Sequence, residues 1–391
     1  MNRFEFRLAS PEDYQKVEAF NQRLASAGEN YHHLSLAIPF RTMAHLQTSP
    51  VIVEKFFCFE GGEIRGGVTI KRMIFQVNGA AEEVSCFVYP LSEGIINPDF
   101  ASVWSCMQAK MEQCYPLMYT SGATKAKRFV RWFSRPIPFH FVVLQASPFL
   151  RNAVELRKRR WLRGLADAAA ISGAGEIGLA IFKLLQRLLR RYPDCRGLHV
   201  ERFDNWGEWA DEIWHKARNR HTLIGDRSLA ALQSLYPAEN NFLIKLRISK
   251  SDTKQPIGWA ILTLAKMKDH KYFGDMKLAA LVDMLAVPED AYAVVSGAVV
   301  AAQQAKADLM VTNHSDGRWN EAFERAGMLP WKTNFSLFLS PKLRERFEPM
   351  ENYASEFFFT RGDGHGPTSL WMVDYHSTEL PFHLFEVVHP N

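Results

Sequence analysis

Little in this chain points to a specialised environment. Its 391 residues include only five cysteines (Cys58, Cys86, Cys106, Cys114, Cys195), an odd number without paired spacing. That excludes a disulfide framework and predicts reduced, mostly buried thiols. No run of about 18 apolar residues occurs, so no helix is predicted to span a bilayer. The opening residues MNRFEFRLASPEDYQ are charged from the start, which predicts no signal peptide and a cytoplasmic chain. Zinc-finger spacing and RNP-type aromatic motifs are both missing, and a net charge of +5 is modest for this length. DNA is therefore not an expected partner. What is present is ordinary: 47% apolar and 23% charged residues, enough chain for two or three domains with sizeable cores.

The first half reads as a strand at Phe4 to Leu8 and a helix opened by Ser10-Pro11-Glu12-Asp13, with Val17, Phe20 and Leu24 at helical spacing. Three strands follow (Val51 to Phe59, Gly66 to Val77, Val84 to Leu91), joined by turns at Glu60-Gly61-Gly62-Glu63 and Asn78-Gly79. A helix at Ala101 to Cys114, a strand at Leu117 to Thr120, a basic helix at Thr124 to Phe133 and a strand at Phe139 to Gln145 complete it. A meander followed by helix-linked strands implies an α/β (mixed α+β) domain, a mixed sheet covered by helices.

Residues 149–195 change character. Arg157-Lys158-Arg159-Arg160, a Gly-rich break at Ser172 to Gly178 and the run IFKLLQRLLRRYP predict a basic helical linker. A solvated bracket between domains is one reading; a basic amphipathic surface on anionic lipid or an anionic polymer is the other.

The second half repeats the order. A strand at Leu198 to Phe203, a helix carrying Trp209, Ile213 and Trp214, a hairpin from Phe242 to Ala265, and a third strand from Lys277 to Val287 follow one another, with Phe242 lying 191 residues beyond Val51 and Leu278 lying 194 beyond Val84. An internal duplication follows, with domains at 1–148 and 196–347 and a turn-rich tail at 348–391.

Several residues stand out as candidates. Asp283 shares a strand face with Leu281, Leu285 and Val287, where a carboxylate is costly unless partnered and is suited to act as a base. Glu93 ends the equivalent strand of the first half. The loop carrying His270, Tyr272 and Asp275 is dense in groups able to hold a polar substrate, and Asn313 with His314 follows the next strand, at the end where α/β sheets bind ligands. In the tail, Arg361-Gly362-Asp363-Gly364-His365-Gly366-Pro367 suggests close backbone approach, with Arg361 and Asp363 as candidate substrate contacts. Too few carboxylates are present for a calcium loop, so no metal is expected.

The stretch Lys277 to Met328, with VDMLAVPEDA (Val282 to Ala291) and Ala326-Gly327-Met328, resembles the acyl-CoA-binding core of the GNAT (GCN5-related N-acetyltransferase) superfamily. With HKYFGDM, SRPIPFHF and RGDGHGP, the whole chain is similar to bacterial tandem-GNAT proteins of exopolysaccharide and cell-envelope biosynthesis, and more distantly to Fem-type aminoacyl transferases. The resemblance implies two GNAT-like domains, the first degenerate and the second working, with acetyl-CoA or another acyl-CoA as donor and a sugar or lipid-linked envelope precursor as acceptor. It places Leu285, Val287, Ala291, Tyr292, Ala293 and Val294 at the donor. The family's glycines are alanines here, Glu289 and Asp290 stand in the turn, and Phe323 occupies the position of the usual tyrosine acid, which phenylalanine cannot replace. Asp283, Glu93 and His314 remain as candidate catalytic groups. A non-catalytic scaffold and an aminoacyl-tRNA-dependent transferase are the alternatives.

Overall fold

The computed structural model describes residues 3–29, 32–34, 49–128, 130–153, 158, 160–189, 191–270, 273–333, 335–349 and 356–364. They form two compact units, neither of them contiguous in sequence. One takes the described residues up to Pro136, then 335–349 and Asp363–Gly364; the other takes Ile137 to Thr333 and 356–362.

The first unit holds β1 (Glu5–Leu8), α1 (Tyr14–Ser26), β2 (Val51–Glu60), β3 (Glu63–Val77), β4 (Ala80–Ser92), α2 (Ser102–Cys114), β5 (Met118–Ala123) and β6 (Phe133–Pro136), with β15 (Phe335–Leu339) from far down the chain. The β2–β3 turn is tight because Gly61 and Gly62 adopt φ of 59° and 83°, open to glycine and costly for other residues. Strand order is β1-β2-β3-β4-β5-β15-β6, antiparallel except for the parallel β4–β5 pair. Val17, Phe20 and Leu24 of α1 pack on Phe57, Phe59 and Ile64, while Val103, Met107 and Met111 of α2 pack on Ile70 and Phe87. The basic helix expected over Thr124 to Phe133 is a short 3₁₀ turn, Thr124–Arg128, because Val130 and Trp132 are drawn into the core ahead of β6.

The second unit contains β7 (Phe139–Val143), α3 (Ala146–Asn152), α4 (Arg160–Ile171), α5 (Ala174–Leu188), β8 (Leu198–Phe203), α6 (Trp209–Ala217), β9 (Leu223–Gly225), α7 (Leu229–Leu235), β10 (Leu243–Lys250), β11 (Pro256–Lys266), β12 (Lys277–Ala286), α8 (Ala291–Gln304), β13 (Leu309–Asn313), α9 (Gly317–Arg325), β14 (Leu329–Trp331) and β16 (Phe357–Phe358). Its sheet runs β14-β7-β13-β12-β11-β10-β8, again antiparallel except for the parallel β12–β13 pair. Strand for strand this is the order of the first sheet. Even a side-chain detail repeats: Thr120 Oγ1 donates to the Phe87 carbonyl (2.6 Å) and Thr312 Oγ1 to that of Leu281 (3.0 Å). The sixth place in each sheet is filled from the other half of the chain, by β15 in the first and by β7 in the second. The strand at Phe139, which the sequence groups with residues 1–148, thus pairs with β13 and β14.

Burial of β7 has a titration consequence. His140 is 1% exposed, and neither ring nitrogen has a hydrogen-bond partner among the described residues. Desolvation pushes this imidazole down to about 4. Because the folded value lies below the unfolded one of roughly 6.5, the associated stability is complete above that pH and lost as pH falls towards 4. Stability should drop by about 2 kcal/mol between pH 7 and pH 5 from this group, and the buried His221, also lowered by desolvation, acts in the same direction. Urea unfolding at the two pH values should show the drop, and His140→Leu should remove most of it.

Candidate functional site

The second unit's central strands form a slot. β12 and β13 pair only over Leu278–Ala280 and Leu309–Val311, then separate. A bulge starts the separation: Ile261 pairs with Asp283 and Leu262 with Leu281, which leaves Val282 as an extra residue. The slot opens where the parallel strands end and α8 and α9 begin, the usual ligand end of such a sheet.

The chain's own tail fills this slot. Phe357 and Phe358 pair in parallel with Leu223 and Ile224, and the Ser315 N–H donates to the Phe359 carbonyl (3.3 Å). Beyond that anchor the Gly362 N–H donates to the bulged Val282 carbonyl (3.1 Å). Residues 361–364 form a turn there, and this one backbone hydrogen bond ties the tail to the open edge of β12.

Asp283 sits on the slot floor with no solvent exposure. Its carboxylate accepts from Arg227 Nε (2.8 Å), the Tyr236 hydroxyl (2.6 Å), Thr360 Oγ1 (3.0 Å) and the Met284 N–H (2.9 Å). The carboxylate is thus ion-paired and its oxygens are occupied by four donors. Gly362 is required here: a Cβ on it would lie 2.1 Å from Tyr236 Oη and 2.7 Å from Asp283 Oδ2. Tyr236 follows α7 as its C-cap, and Arg227 lies in the loop before that helix. Both come from sequence positions that carry no local signal of a site.

The other expected residues are placed as follows. His314 is buried among Trp319, Phe323 and Phe358, and its Nδ1 accepts the Asp316 N–H (3.1 Å), so it is a packed aromatic rather than a poised base. Asn313 Oδ1 accepts from Arg361, whose guanidinium burial pushes down to about 10. Asp363 belongs to the first unit, where its carbonyl accepts from Lys71 Nζ and the Tyr119 hydroxyl (2.6 Å). Glu93 is in that unit too, buried and ion-paired with Arg23 (3.0 Å) and Arg65 (3.1 Å), so it ties α1 to β3. His270 and Asp275 close their own loop through Gly274 and Asp269, and Tyr272 lies outside the described residues. Leu285, Ala291 and Val294 are wholly buried, which leaves backbone rather than side chains to meet a donor; Val287, Tyr292 and Ala293 are half-buried, and the Tyr292 hydroxyl donates to the Tyr192 carbonyl (2.6 Å).

At the mouth one of the two acids of the turn, Glu289, is ion-paired. Arg220 pairs with Glu289, and Arg318 donates to Asp316 (2.8 Å) and to the Arg220 carbonyl (2.8 Å). Burial alone would raise the Asp316 carboxyl, but hydrogen bonds from His221 and Arg318 outweigh it and hold it well below the usual range. No thiol competes as nucleophile among the buried pair: desolvation pushes Cys58 and Cys86 up to about 12.

No family model and no curated protein matches the sequence. Among solved structures, a conserved Enterococcus faecalis protein described as a probable N-acyltransferase is similar in 88% of this chain and 74% of its own, at 10% identity and TM-score 0.48. A GCN5-related N-acetyltransferase from Anabaena variabilis covers 86% and 72%, at 12% and 0.48. A tandem GNAT protein from the clavulanic acid biosynthesis pathway covers 86% and 98%, at 9% and 0.42.

Proposed function

We propose that the protein is an N-acyltransferase that takes its acyl group from acyl-CoA in the β12–β13 slot. The observation that carries this is the Gly362–Val282 hydrogen bond. The bulged Val282 carbonyl accepts an amide N–H from outside the sheet, and the pantetheine arm of CoA carries amides of the same kind. The phosphate end has a counterpart in Arg220, whose pair with Glu289 is exposed and therefore exchangeable. Bound, the donor supplies an activated carbonyl. The chain's own part is to accept an arm N–H at Val282, to exclude water, and to protonate the departing sulfur from the Tyr236 hydroxyl, which turns away from Asp283 as the C–S bond breaks and regains its proton from the acceptor once the new acyl bond has formed. Tyr236 thus stands in for the tyrosine that Phe323 replaces. Residues 360–362 must swing out first.

The acceptor we propose is an amine or hydroxyl of a sugar or envelope precursor, supported by the resemblance of the motifs quoted above. The five free cysteines support a cytoplasmic setting. A second reading is favoured by the completeness of the Asp283 hydrogen bonding: a non-catalytic scaffold in which that carboxylate only fastens the tail.

Calorimetric titration with acetyl-CoA and longer acyl-CoAs separates the two. Gly362→Ala forces the tail off Tyr236, so this variant should bind roughly tenfold more tightly than the parent, which must first open. Arg220→Glu should weaken binding in both backgrounds. If neither parent nor Gly362→Ala binds any acyl-CoA up to about millimolar, the scaffold reading stands.

A further inference from the structure

We propose that α4 and α5 form a docking face for an anionic lipid bilayer, holding the protein at a membrane surface without crossing it. The amphipathicity of these helices is inverted. On α4 the inward positions are small, Ala166 and Ala170, while Trp161 and Leu165 point outward at 61% and 59% exposure. On α5 the buried position is Gln186, whose amide donates to the Gly327 carbonyl (3.0 Å), while Ile177, Ile181, Leu184 and Leu188 form an exposed stripe at i, i+4, i+7 and i+11. A helix that turns its large apolar residues away from its own core has an apolar environment to meet on that side.

Charge selects the occupant. Between residues 151 and 191 there are ten Lys and Arg against three Asp and Glu, an excess greater than the +5 of the whole chain. The rest of the protein is therefore slightly acidic, and its basic excess is concentrated in the stretch of sequence that carries these helices. Arg160, Arg163 and Arg187 flank that face on the helices and are exposed. Apolar residues with a tryptophan, rimmed by arginines, match the acyl-headgroup boundary of an anionic leaflet, where guanidinium groups meet phosphates as the apolar stripe enters. No single described helix is long and apolar enough to cross a bilayer, and the pair is bent by 85° at the break between them, a geometry suited to lying in the interface. A second copy of this chain would have to set the same cationic rim against itself.

Flotation of the full chain with vesicles of phosphatidylcholine and phosphatidylglycerol tests this, with pure phosphatidylcholine as control. The expected result is binding to the anionic vesicles only, weakened at least several-fold by high salt. A blue shift of tryptophan emission should accompany it and vanish in Trp161→Phe. Leu184→Glu with Leu188→Glu should reduce partitioning about tenfold or more, as should Arg160→Glu with Arg163→Glu, which leaves the apolar stripe intact. Both pairs are exposed, and unchanged thermal unfolding will verify the fold. Absence of binding to anionic vesicles at low salt overturns the proposal. So does a concentration-dependent dimer abolished by Leu184→Glu with Leu188→Glu, since the face then belongs to a second copy.

Discussion

Replacing Arg227 by methionine should destabilise the second unit by about 3–5 kcal/mol. Asp283 and Arg227 are both fully buried, and the Nε–Oδ2 distance is 2.8 Å. Removing the guanidinium strands a carboxylate that water cannot reach. Tyr236, Thr360 and the Met284 N–H still donate to it, yet none supplies the compensating charge. The companion variant Arg227→Met with Asp283→Leu should recover much of the loss, because replacing a whole buried pair costs far less than breaking it. Urea unfolding of the parent, the single and the double variant measures both effects. A single variant within about 0.5 kcal/mol of the parent would show that the pair is solvated.

Tyr236→Phe should lower turnover by about a hundredfold to ten-thousandfold, the usual reach of a positioned acid, while acyl-CoA affinity stays unchanged. The separation of kcat from KM is the informative part. Tyr236 lies beneath the slot and donates to Asp283, so losing its hydroxyl removes a proton source without altering the slot edge at Val282. Stability should fall by about 1.5–3 kcal/mol, the worth of one hydrogen bond to a charged group. Steady-state kinetics with a thiol-trapping readout, alongside calorimetry, test both halves of the expectation. Unchanged turnover would leave Tyr236 as a structural partner of Asp283 and remove the proton-donor role.

Much of the fold is legible in the residue order. Alternating apolar positions, the Glu60–Glu63 and Asn78–Gly79 turns and the repeat of the meander all act over a few residues, and they mark most strands and the duplication. The exchange of β7 and β15 is not legible. Each is a five-residue strand whose alternation fits either sheet, and the choice of partner depends on contacts some 170 to 220 residues away in sequence. At the site, Asp283 announces itself as an acid within an apolar strand. Arg227 and Tyr236 do not, since a loop arginine and a helix-ending tyrosine are ordinary until the fold lays them 2.8 and 2.6 Å from the same carboxylate.

By itself the sequence determined that the chain is mixed α/β, that its halves repeat, and that Asp283 and the glycines near Arg361 need special surroundings. These are properties of local periodicity, backbone freedom and the cost of burying charge. Only the tertiary structure decided that those surroundings are each other: the tail lies in the slot, Gly362 covers Tyr236, and a buried arginine neutralises the acid. It also decided which face of α4 and α5 is turned outward. Such outcomes follow from packing between segments far apart in the chain, where the energy of one contact depends on every other contact that places it.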